Sequence, residues 1–435
     1  MRLLTIVRNL GPGGTQRSAQ SHAECYADAG VDSAVFAYEA GGPRLEQLRG
    51  QGIEVFVADE TTPGEALRAA LAWRPDAVHV HRPGFADPTT DEILAALRDA
   101  GTRAVVETNH FARADRSPQR RLIDVHVQLS RWCLWQWHRR CRGLSPAPVG
   151  IAMPHIIRAD RFGPVAADAR ASWRAEHGIP SEAVVFGRVA QPLGPKWSRV
   201  LFEAFGEVAR ERDDVWLVTV GLAPTLHAAR DRLPESIRRR IVSIDFLHGD
   251  AALRACYGSI DVFAHAAKCG ETFGMVICEA ALAGVPTVTL STPLRDNSQI
   301  EVVGHERGGL VAGDGRSFAD AMRRLAREPE TRVRLGHGAA DWVRQHCDGR
   351  LLTGHLLGVF DAVLSADRRE QIPGKIAEIP GLTRGASTAQ LMELLAPVPG
   401  ANALRDRALL AASTVQAAGR IKQRLMAALG RGPGR

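Results

Sequence analysis

The feature that most constrains the fold of this 435-residue chain is an alternation of short apolar runs with longer helical patterns. The apolar runs predict strands at residues 3–7, 33–38, 53–58, 76–81 and 104–108. Helical patterns separate several of these runs. Strands that alternate with helices are typical of βαβ units, in which the strands are parallel. We therefore predict a parallel α/β sheet for the first part of the chain.

The same alternation starts again after residues 145–155, a stretch that contains Pro and Gly and resembles a hinge. A strand is predicted at 183–189, a helix at 198–212 and a strand at 215–221, and the series continues to about residue 290. Each half is near the size of one doubly wound domain. Two facing Rossmann-like domains leave a central cleft, and open α/β sheets bind ligands at the carboxyl ends of their strands.

The net charge of +7 is unevenly distributed along the chain. Residues 103–142 and 401–435 each carry +6, which leaves the remainder at about −5. Basic patches favour anionic partners such as a membrane surface, a nucleic acid or a phosphorylated substrate. The tryptophans at 132, 135 and 137 lie among arginines, so this segment is either a half-buried helix with a solvated basic face or a surface that touches a membrane or a lipid-linked acceptor.

Cysteine usage and hydropathy indicate the compartment. The seven cysteines include no C-x-x-C pair and predict reduced thiols, as in cytoplasmic proteins. No apolar run approaches the length of a bilayer span, and MRLLTIVRNLG meets glycine too early for a signal peptide. We expect a cytoplasmic protein, with peripheral contact of its basic patches at the inner face of the membrane as a further hypothesis.

A glycine-rich loop, NLGPGGTQRS, follows the first predicted strand at residues 9–18. Gly13 and Gly14 precede a helical pattern, so free backbone N–H groups at the helix N-terminus are available to a phosphate. Thr15 is the predicted N-cap. The loop matches neither a dinucleotide fingerprint nor a Walker loop, and a tight βα turn without a ligand is the alternative.

Two cations flank a Pro/Gly loop at the end of the second domain's first strand, in GRVAQPLGPKW. Arg188 and Lys196 are predicted to converge on a diphosphate leaving group. The alternative is that both side chains are solvated.

Two glutamates lie in the apolar segment CGETFGMVICEAALAGVPTV at residues 269–288. Thr272 is the predicted N-cap and Gly284 the stop of a helix over 273–283. Glu271 then precedes the helix and Glu279 lies inside it. A buried carboxylate there needs hydrogen-bond donors, which two ribose hydroxyls supply. The alternative is that Glu279 faces solvent and Glu271 only favours the helix dipole.

The stretch ETFGMVICEA resembles the E-x7-E signature of retaining glycosyltransferases of the GT-B fold, family 4-like (glycosyl transferases group 1). Further matches occur in the family's order over residues 1–365. They are GPGGT, DAVHVH, ETNH, LIDVHVQLSRW (with Ser130 entering a helix), GRVAQPLGPKW and FLHGDAALRACYGSIDVFAHA. The resemblance implies an α/β GT-B architecture and a hexosyltransferase that uses a nucleotide diphosphate sugar, linked to UDP or GDP.

The resemblance also implies a role for each candidate residue. Glu279 binds the ribose hydroxyls, and Glu271 contacts hydroxyls of the donor sugar. Other donor-binding groups are the backbone amides of Phe273, Gly274 and Met275 together with Gly13 and Gly14. Arg188 and Lys196 stabilise charge on the diphosphate. His110 lies beside the anomeric centre. The expected catalytic residues are thus His110, Glu271, Arg188 and Lys196.

The predicted domains follow from this resemblance. They are an acceptor-side domain at 1–152, a donor-side domain at 153–345, a C-terminal helix at 346–365 packed on the first domain, and a basic extension at 366–435. No D-x-D motif or metal cluster is visible, so we predict no cofactor and no metal. The expected partners are a nucleotide diphosphate sugar and a sugar, lipid-linked or small-molecule hydroxyl acceptor, with no nucleic acid.

Three other hypotheses compete with the transferase. A non-hydrolysing sugar-nucleotide epimerase shares the architecture and requires no acceptor. A non-catalytic basic module that binds nucleotides or nucleic acid predicts indifference to the loss of Glu271 or Glu279. A degenerate transferase acting as a partner subunit is a weaker form of this last hypothesis. His79 and His81 lie on one face of a strand, where either a structural or a ligand-facing role is open.

Overall fold

Thirteen strands and eighteen α-helices account for most of the regular structure in the computed structural model, which describes residues 1–60 and 62–414. The strands, in chain order, are β1 (Arg2–Asn9), β2 (Asp32–Ala40), β3 (Glu54–Val57), β4 (Ala77–Arg82), β5 (Ala104–Asn109), β6 (Val125–Gln128), β7 (Val149–Ala152), β8 (Val184–Val189), β9 (Val215–Val220), β10 (Ile241–Ile244), β11 (Val262–His265), β12 (Thr287–Leu290) and β13 (Gly309–Ala312).

The helices alternate with these strands in both halves of the chain. They are α1 (Gly14–Asp28), α2 (Leu45–Gly50), α3 (Pro63–Ala72), α4 (Pro88–Asp99), α5 (Arg131–Arg140), α6 (Ala167–Glu176), α7 (Val200–Glu211), α8 (His227–Asp231), α9 (Glu235–Arg238), α10 (Gly249–Ser259), α11 (Met275–Leu282), α12 (Gln299–Val303), α13 (Gly315–Arg327), α14 (Pro329–His346), α15 (Gly349–Leu364), α16 (Ile372–Ala377), α17 (Thr388–Leu395) and α18 (Ala403–Ser413). None of the helices in the described part of the chain is long and apolar enough to cross a membrane.

All ladders between the named strands are parallel, and they form two sheets. The first has the order β3-β2-β1-β4-β5-β6-β7 and the second the order β10-β9-β8-β11-β12-β13. In each sheet the chain order reverses beside the first strand to be made, between β1 and β4 and between β8 and β11. The predicted pair of parallel doubly wound sheets is confirmed.

The chain divides into two compact units that are not continuous in sequence. The first unit contains residues 1–156 and 347–387, and the second begins at residue 157, runs to 346 and resumes at 388. Residues 149–152, inside the stretch that resembles a hinge, form β7 and pair with β6.

The core of the first unit includes helix α15, which the chain reaches only after completing most of the second. Leu352, Leu356 and Phe360 of this helix pack with Leu3 and Val106 of the first sheet, and all five are buried. Segments that follow residue 365 also contribute to cores: α16 to the first unit and α18 to a small cluster in the second. The predicted basic positions between 420 and 435 lie outside the described residues.

The tryptophans of α5 belong to the interior of the first unit. Trp132, Trp135 and Trp137 are between 0% and 4% exposed, and Ser130 caps the helix by accepting a hydrogen bond from the Cys133 N–H at 3.0 Å. The hypothesis that these rings touch a membrane or an acceptor is therefore wrong, because the three side chains are packed in the interior. The seven cysteines are free thiols, as predicted.

Two predicted helix starts are wrong for the same physical reason. Helix α1 begins at Gly14 after an extended Gly13, so Thr15 lies inside the helix and does not cap it. Helix α11 begins at Met275, because Gly274 has a φ of 102° and cannot continue a right-handed helix back to Thr272. In both cases glycine backbone geometry, and not a capping side chain, sets the first helical residue.

Candidate active site

The polar residues predicted for the second unit lie at the carboxyl edge of its sheet, beside the central strands β8 and β11. Val262 and Phe263 of β11 pair with Phe186 and Gly187 of β8. The order of the strands reverses at this point, and loops that follow strands at such a reversal form the ligand site of open α/β sheets. The candidate donor site is therefore built by the loops that follow β8 and β11.

Glu271 lies in the loop after β11 with both carboxylate oxygens engaged. The Lys196 ammonium donates to Oε2 at 2.6 Å, and Nε2 of His265 lies 3.3 Å from Oε1. The backbone N–H of Glu271 donates to the Gln299 side chain at 3.0 Å. Glu271 is 8% exposed, so these contacts fix the position of a nearly buried charge.

The ion pair keeps both of its members charged. Burial favours the neutral form of Glu271, but the charge of Lys196 and the hydrogen bonds from His265 and Lys196 outweigh it and hold the pKa of Glu271 well below its ordinary value. Burial likewise opposes the charge on Lys196, and Glu271 more than compensates, so the pKa of Lys196 is raised. A positive and a negative group therefore coexist at this edge at neutral pH.

The tautomer of His265 follows from its two partners. Its Nδ1 lies 3.0 Å from the hydroxyl of Thr289, and its Nε2 faces Glu271. An ionised carboxylate can only accept, so Nε2 carries the proton and Nδ1 accepts from Thr289. Burial, followed by the charge of Arg188, lowers the pKa of His265 to about 4. His265 is thus a neutral donor that orients Glu271.

Arg188 is a fully buried guanidinium that forms no ion pair with a carboxylate of the described residues. Its Nη1 donates to the Val189 carbonyl at 3.0 Å and its Nη2 to the Lys196 carbonyl at 2.8 Å, while its Nε has no partner in the described chain. Burial lowers the pKa of Arg188 to about 10, so it remains a cation at neutral pH. A buried cation with an unused donor is a suitable site for an anion.

The loop that carries Glu271 requires glycine at two positions. Gly270 has a φ of 68°, and a Cβ there would lie 1.7 Å from the carbonyl oxygen of Asp296. Gly274 has a φ of 102° and precedes the first residue of α11. The Met275 N–H, in the first turn, has no acceptor within the helix and points out of its N-terminus. Phe273, the third predicted backbone donor, is 2% exposed.

Glu279 lies inside α11 and is 3% exposed. The hydroxyl of Tyr257, on α10, donates to its Oε2 at 2.9 Å. The alternative in which Glu279 faces solvent is therefore wrong. The buried carboxylate has the kind of donor that its burial requires.

The glycine loop of the first unit lies at the carboxyl end of β1. Gly13 is extended and Gly14 opens α1 without a side-chain cap. Asn9 organises the turn, since its Oδ1 accepts from the Gly11 N–H at 3.1 Å and from the Gln16 side chain at 3.0 Å. No side chain therefore caps the backbone N–H groups in the first turn of α1.

His110 follows β5 and is 4% exposed. Its Nε2 lies 3.2 Å from Nδ1 of His81, and its ring stacks on His155 with centroids 5.2 Å apart. Its backbone N–H donates to the Arg82 carbonyl at 3.0 Å. Burial, followed by the charge of His22, lowers the pKa of His110 to about 3. His110 is therefore neutral at physiological pH.

Five imidazoles, including that of His110, are buried together, and we call them the histidine cluster. They are His22, His79, His81, His110 and His155, each at most 4% exposed. His79 is held by Tyr26 at 2.8 Å and Thr108 at 2.7 Å. Burial lowers the pKa of each member. The histidines of DAVHVH are thus part of a buried network.

An arginine with three carboxylates fixes the strand ends next to this cluster. Arg82, 1% exposed, contacts Glu107 at 2.6 Å, Asp91 at 3.0 Å and Asp115 at 3.2 Å. Glu107 also contacts His126. Burial would raise the pKa of Glu107, but Arg82 and His126 lower it to about 2. The network ties β4, β5 and the loop after His110 together.

The structure brings predicted residues into contact in the second unit. In the second unit Lys196 binds Glu271, and Arg188 contacts the backbone of Lys196. Gly13, Gly14 and His110 lie in the first unit.

Five residues that support this site were not predicted from the sequence. They are Tyr257, His265, Gln299, Arg82 and His155. His265 was recognisable in principle, because a histidine in the apolar strand VFAH raises the same question as Glu279 in its helix. No group of three or more His, Cys, Asp or Glu side chains among the described residues is arranged to hold a metal ion.

Comparisons with known proteins agree with this architecture. The sequence profile of the family described as glycosyl transferases group 1 matches residues 180–328, which contain the candidate donor site. Phosphatidyl-myo-inositol mannosyltransferase of Mycobacterium leprae is 31% identical over 193 residues, covering 43% of this chain and 48% of that protein. D-inositol 3-phosphate glycosyltransferase of Saccharomonospora viridis is 32% identical over 281 residues, covering 61% and 60%. The chain thus spans about half to three-fifths of the length of these curated relatives.

The fold is shared with solved structures at lower identity. The crystal structure of Anabaena Alr3699/HepE in complex with UDP-glucose has a TM-score of 0.64 and 17% identity, covering 82% of this chain and 99% of that one. Two parallel Rossmann-like sheets in one chain with this similarity define a GT-B fold. The GT-B fold and the match of residues 180–328 make the chain similar to the glycosyl transferases group 1 family, family 4 of the glycosyltransferases.

Proposed function

We propose that this protein is a retaining glycosyltransferase that moves a hexose-type sugar from a UDP- or GDP-linked donor to a hydroxyl acceptor. The observation that carries the proposal is the group of Arg188, Lys196 and Glu271 at the switch point of the second sheet. It combines two cations with a carboxylate that is fixed by His265. A diphosphate needs the cations, and a sugar hydroxyl needs the carboxylate.

Arg188 and Lys196 supply the electrostatic part of catalysis. Charge develops on the diphosphate as the bond from the anomeric carbon to the phosphate oxygen breaks. A buried guanidinium with an unused Nε–H is already in place to stabilise that charge, so little reorganisation accompanies the reaction. On donor binding, Lys196 is shared between Glu271 and the phosphate.

Retention of configuration follows from attack on the face that the diphosphate leaves. The acceptor oxygen bonds to the anomeric carbon, the phosphate oxygen departs, and the acceptor proton passes to that phosphate oxygen. Glu271 contacts sugar hydroxyls, and the amides of Gly274 and Met275 hold sugar and phosphate, with Phe273 positioning the same loop. No covalent sugar–enzyme intermediate is invoked.

The first unit supplies His110 and the glycine loop in this proposal. His110 is neutral, so it acts as a hydrogen-bond partner beside the anomeric centre and not as a cation. Gly13 and Gly14 leave the backbone at the N-terminus of α1 unobstructed for the diphosphate. The similarity to HepE supports UDP-sugars as the first donors to test.

Metal independence is part of the proposal. The cations of Arg188 and Lys196 provide the neutralisation that a divalent ion provides in other transferases. EDTA is therefore expected to leave donor binding and transfer unchanged.

The acceptor class is suggested by the two relatives, both of which are named for inositol-containing compounds. We therefore propose myo-inositol, its phosphates and phosphatidylinositol as the first acceptors to test. Contact of basic surfaces with an anionic membrane belongs to the lipid-linked alternative.

The test is calorimetric binding of UDP, GDP, ADP, dTDP and CMP in EDTA to the wild type and to Glu279→Ala. One nucleoside diphosphate should bind without metal, and the variant should bind it at least about 10-fold more weakly, because a buried carboxylate no longer receives ribose hydroxyls. Glu203→Ala, at an exposed ion pair of α7, should bind like the wild type.

Equal binding by Glu279→Ala would overturn the assignment of the ribose site, and no binding of any nucleotide would overturn the transferase. Turnover of the matching nucleotide sugar then separates transferase from epimerase. Sugar transfer requires an added acceptor, whereas epimerisation proceeds without one.

A further inference from the structure

Tyr257 is a buried side chain directed at the carboxylate to which the proposal assigns the ribose. It lies near the end of α10, is 0% exposed, and donates its hydroxyl to Oε2 of Glu279 at 2.9 Å. The hydrogen bond joins two different helices, since Glu279 lies on α11. The phenol is thus a long-range contact and not a consequence of helical spacing.

The ring of Tyr257 is fixed independently of its hydroxyl. Its centroid lies 5.9 Å from that of Phe263 on β11 and 6.3 Å from that of Phe162, both in edge-on arrangements. Edge-to-face packing at these distances favours one ring orientation. The hydroxyl is therefore presented at a defined point before any ligand arrives.

A glutamate needs such a fixed donor if it is to recognise a diol. The last torsion of a Glu side chain is broad and roughly two-fold, so the helix alone does not set the plane of the carboxylate. A hydrogen bond to one oxygen sets that plane and directs the remaining acceptor positions, of which an ionised carboxylate has about four. The Tyr257 hydroxyl uses one of these positions.

We propose that Tyr257 is a positioning residue that orients Glu279 and so determines how strongly the site selects ribonucleotides over nucleotides without ribose hydroxyls. This inference rests on the proposed function, because it assigns the ribose to Glu279. Tyr257 itself touches no ligand group; it acts through the carboxylate.

The test compares UDP with 2′,3′-dideoxy-UDP on the wild type and on Tyr257→Phe, in EDTA by calorimetry. The variant should bind UDP about 10-fold more weakly, because Glu279 loses the hydrogen bond that the Tyr257 hydroxyl donates. Its affinity for the dideoxy nucleotide should change less than about 2-fold, since that ligand makes no use of the carboxylate. GDP and its dideoxy form replace the uridine pair if GDP is the nucleotide that binds.

Tyr26→Phe is a matched control for this substitution. Tyr26 is also 0% exposed and its hydroxyl is hydrogen-bonded at 2.8 Å, but to His79 in the first unit. It should bind both nucleotides like the wild type. A merely structural role of Tyr257 predicts an equal loss for UDP and dideoxy-UDP, and that result would overturn the proposal, as would no loss for either.

A second measurement needs no substitution of Tyr257. The chain has three tyrosines, so protein containing 3-fluorotyrosine gives three fluorine resonances, assigned with Tyr26→Phe and Tyr38→Phe. Saturating UDP should move the Tyr257 resonance, whereas saturating dideoxy-UDP should leave it in place. Equal shifts contradict the proposal even if Tyr257→Phe fails to fold.

The outcomes separate the inference from the function beneath it. If wild-type protein binds no nucleoside diphosphate, the proposed function and the inference both fail. If it binds UDP with a dependence on Glu279 but Tyr257→Phe shows no selective loss, the inference alone fails.

Discussion

Glu271 and Glu279 are each held by a neighbour that provides a neutral hydrogen-bond donor from a different element. His265, on β11, donates to Glu271, and Tyr257, on α10, donates to Glu279. A neutral donor orients a carboxylate without cancelling its charge, in contrast to an arginine or a lysine. Glu271 is in addition paired with the Lys196 ammonium, so its position is set by one charged and one neutral donor.

Loss of the His265 donor should reduce turnover. In His265→Leu, Oε1 of Glu271 loses its donor inside a nearly buried site. A hydrogen bond to a charged group contributes about 1.5–3 kcal/mol, so we expect kcat/KM for the nucleotide sugar to fall by about 10- to 100-fold. Steady-state kinetics with the donor identified by calorimetry measures this change.

His265→Gln is the matched variant, because its amide N–H reaches toward the position of Nε2. It should recover most of the activity lost in His265→Leu while nucleoside diphosphate affinity stays near that of the wild type in both. Equal activity of His265→Leu and wild type would show that Glu271 needs no such orientation.

At the residue scale the sequence identifies the charged residues of the site better than the neutral residues that hydrogen-bond to them. Glu271, Lys196 and Arg188 stood out because charged groups interrupt apolar or Gly-rich segments. His265, Tyr257 and Gln299 did not, since a polar residue in a strand or helix reveals its partner only when the fold brings that partner near. The distance between Tyr257 and Glu279 is a property of how α10 packs on α11.

Glycines with positive φ angles lie at both ends of helix α11. At the start, Gly270 and Gly274 hold positive φ angles, and at the end Gly284 has a φ of 81°. These glycines differ in surroundings. A Cβ on Gly270 would meet the Asp296 carbonyl oxygen at 1.7 Å, whereas one on Gly284 would meet nothing within 4 Å.

Gly270→Ala should therefore damage the site more than Gly284→Ala. Both substitutions bring strain of about 1–3 kcal/mol from positive φ, but only the first also forces the loop that carries Glu271 to move. We expect Gly270→Ala to lose about 2 kcal/mol or more of the free energy of unfolding, and to weaken nucleotide binding.

Urea unfolding and calorimetry on the same two variants measure these effects. Gly284→Ala should lose only about 1 kcal/mol and keep its nucleotide affinity. A Gly270→Ala protein with the stability and affinity of Gly284→Ala would contradict the importance assigned to the contact with Asp296.

At the element scale the sequence predicts strands wherever an apolar run is long and bounded by turns. This holds for β1, β2, β4, β5, β8 and β9. It failed for β7 and β13, four-residue strands whose glycines and short length match a loop as well as a strand. Their strand geometry depends on pairing with β6 and β12, and pairing is not visible in a local window.

At the scale of the whole molecule, the histidine cluster predicts that low pH destabilises the first unit. Its members have pKa values below the ordinary 6.5, about 4 for His22 and about 3 for His110. The unfolded chain binds protons on these groups near pH 6.5 and the folded unit does not, so the free energy of unfolding falls as pH decreases from 6.5 toward 4.

A buried histidine that stays neutral contributes up to about 1.4 kcal/mol per pH unit in this window, and all five members of the cluster act in this direction. Hydrogen exchange corrected for intrinsic pH dependence should show β1, β4 and β5 losing protection between pH 6.5 and 5. Strand β9 of the second unit should stay protected at pH values where these strands have opened.

His22→Gln is the control for this pH response. It removes one of the five groups and should lower the proton uptake on unfolding by about one-fifth. Simultaneous loss of protection in both units at one pH would contradict an origin in the histidine cluster.

The discontinuity of the two units also has a consequence for synthesis on the ribosome. A nascent chain that has reached residue 346 has released both parallel sheets, but the buried leucines of α15 that complete the first core have not yet been made. Until α15 is made, the first unit therefore exposes the apolar face that this helix covers in the complete structure. Its core is completed by a segment encoded after most of the second unit, so a chaperone that shields this face during translation would act on the N-terminal unit.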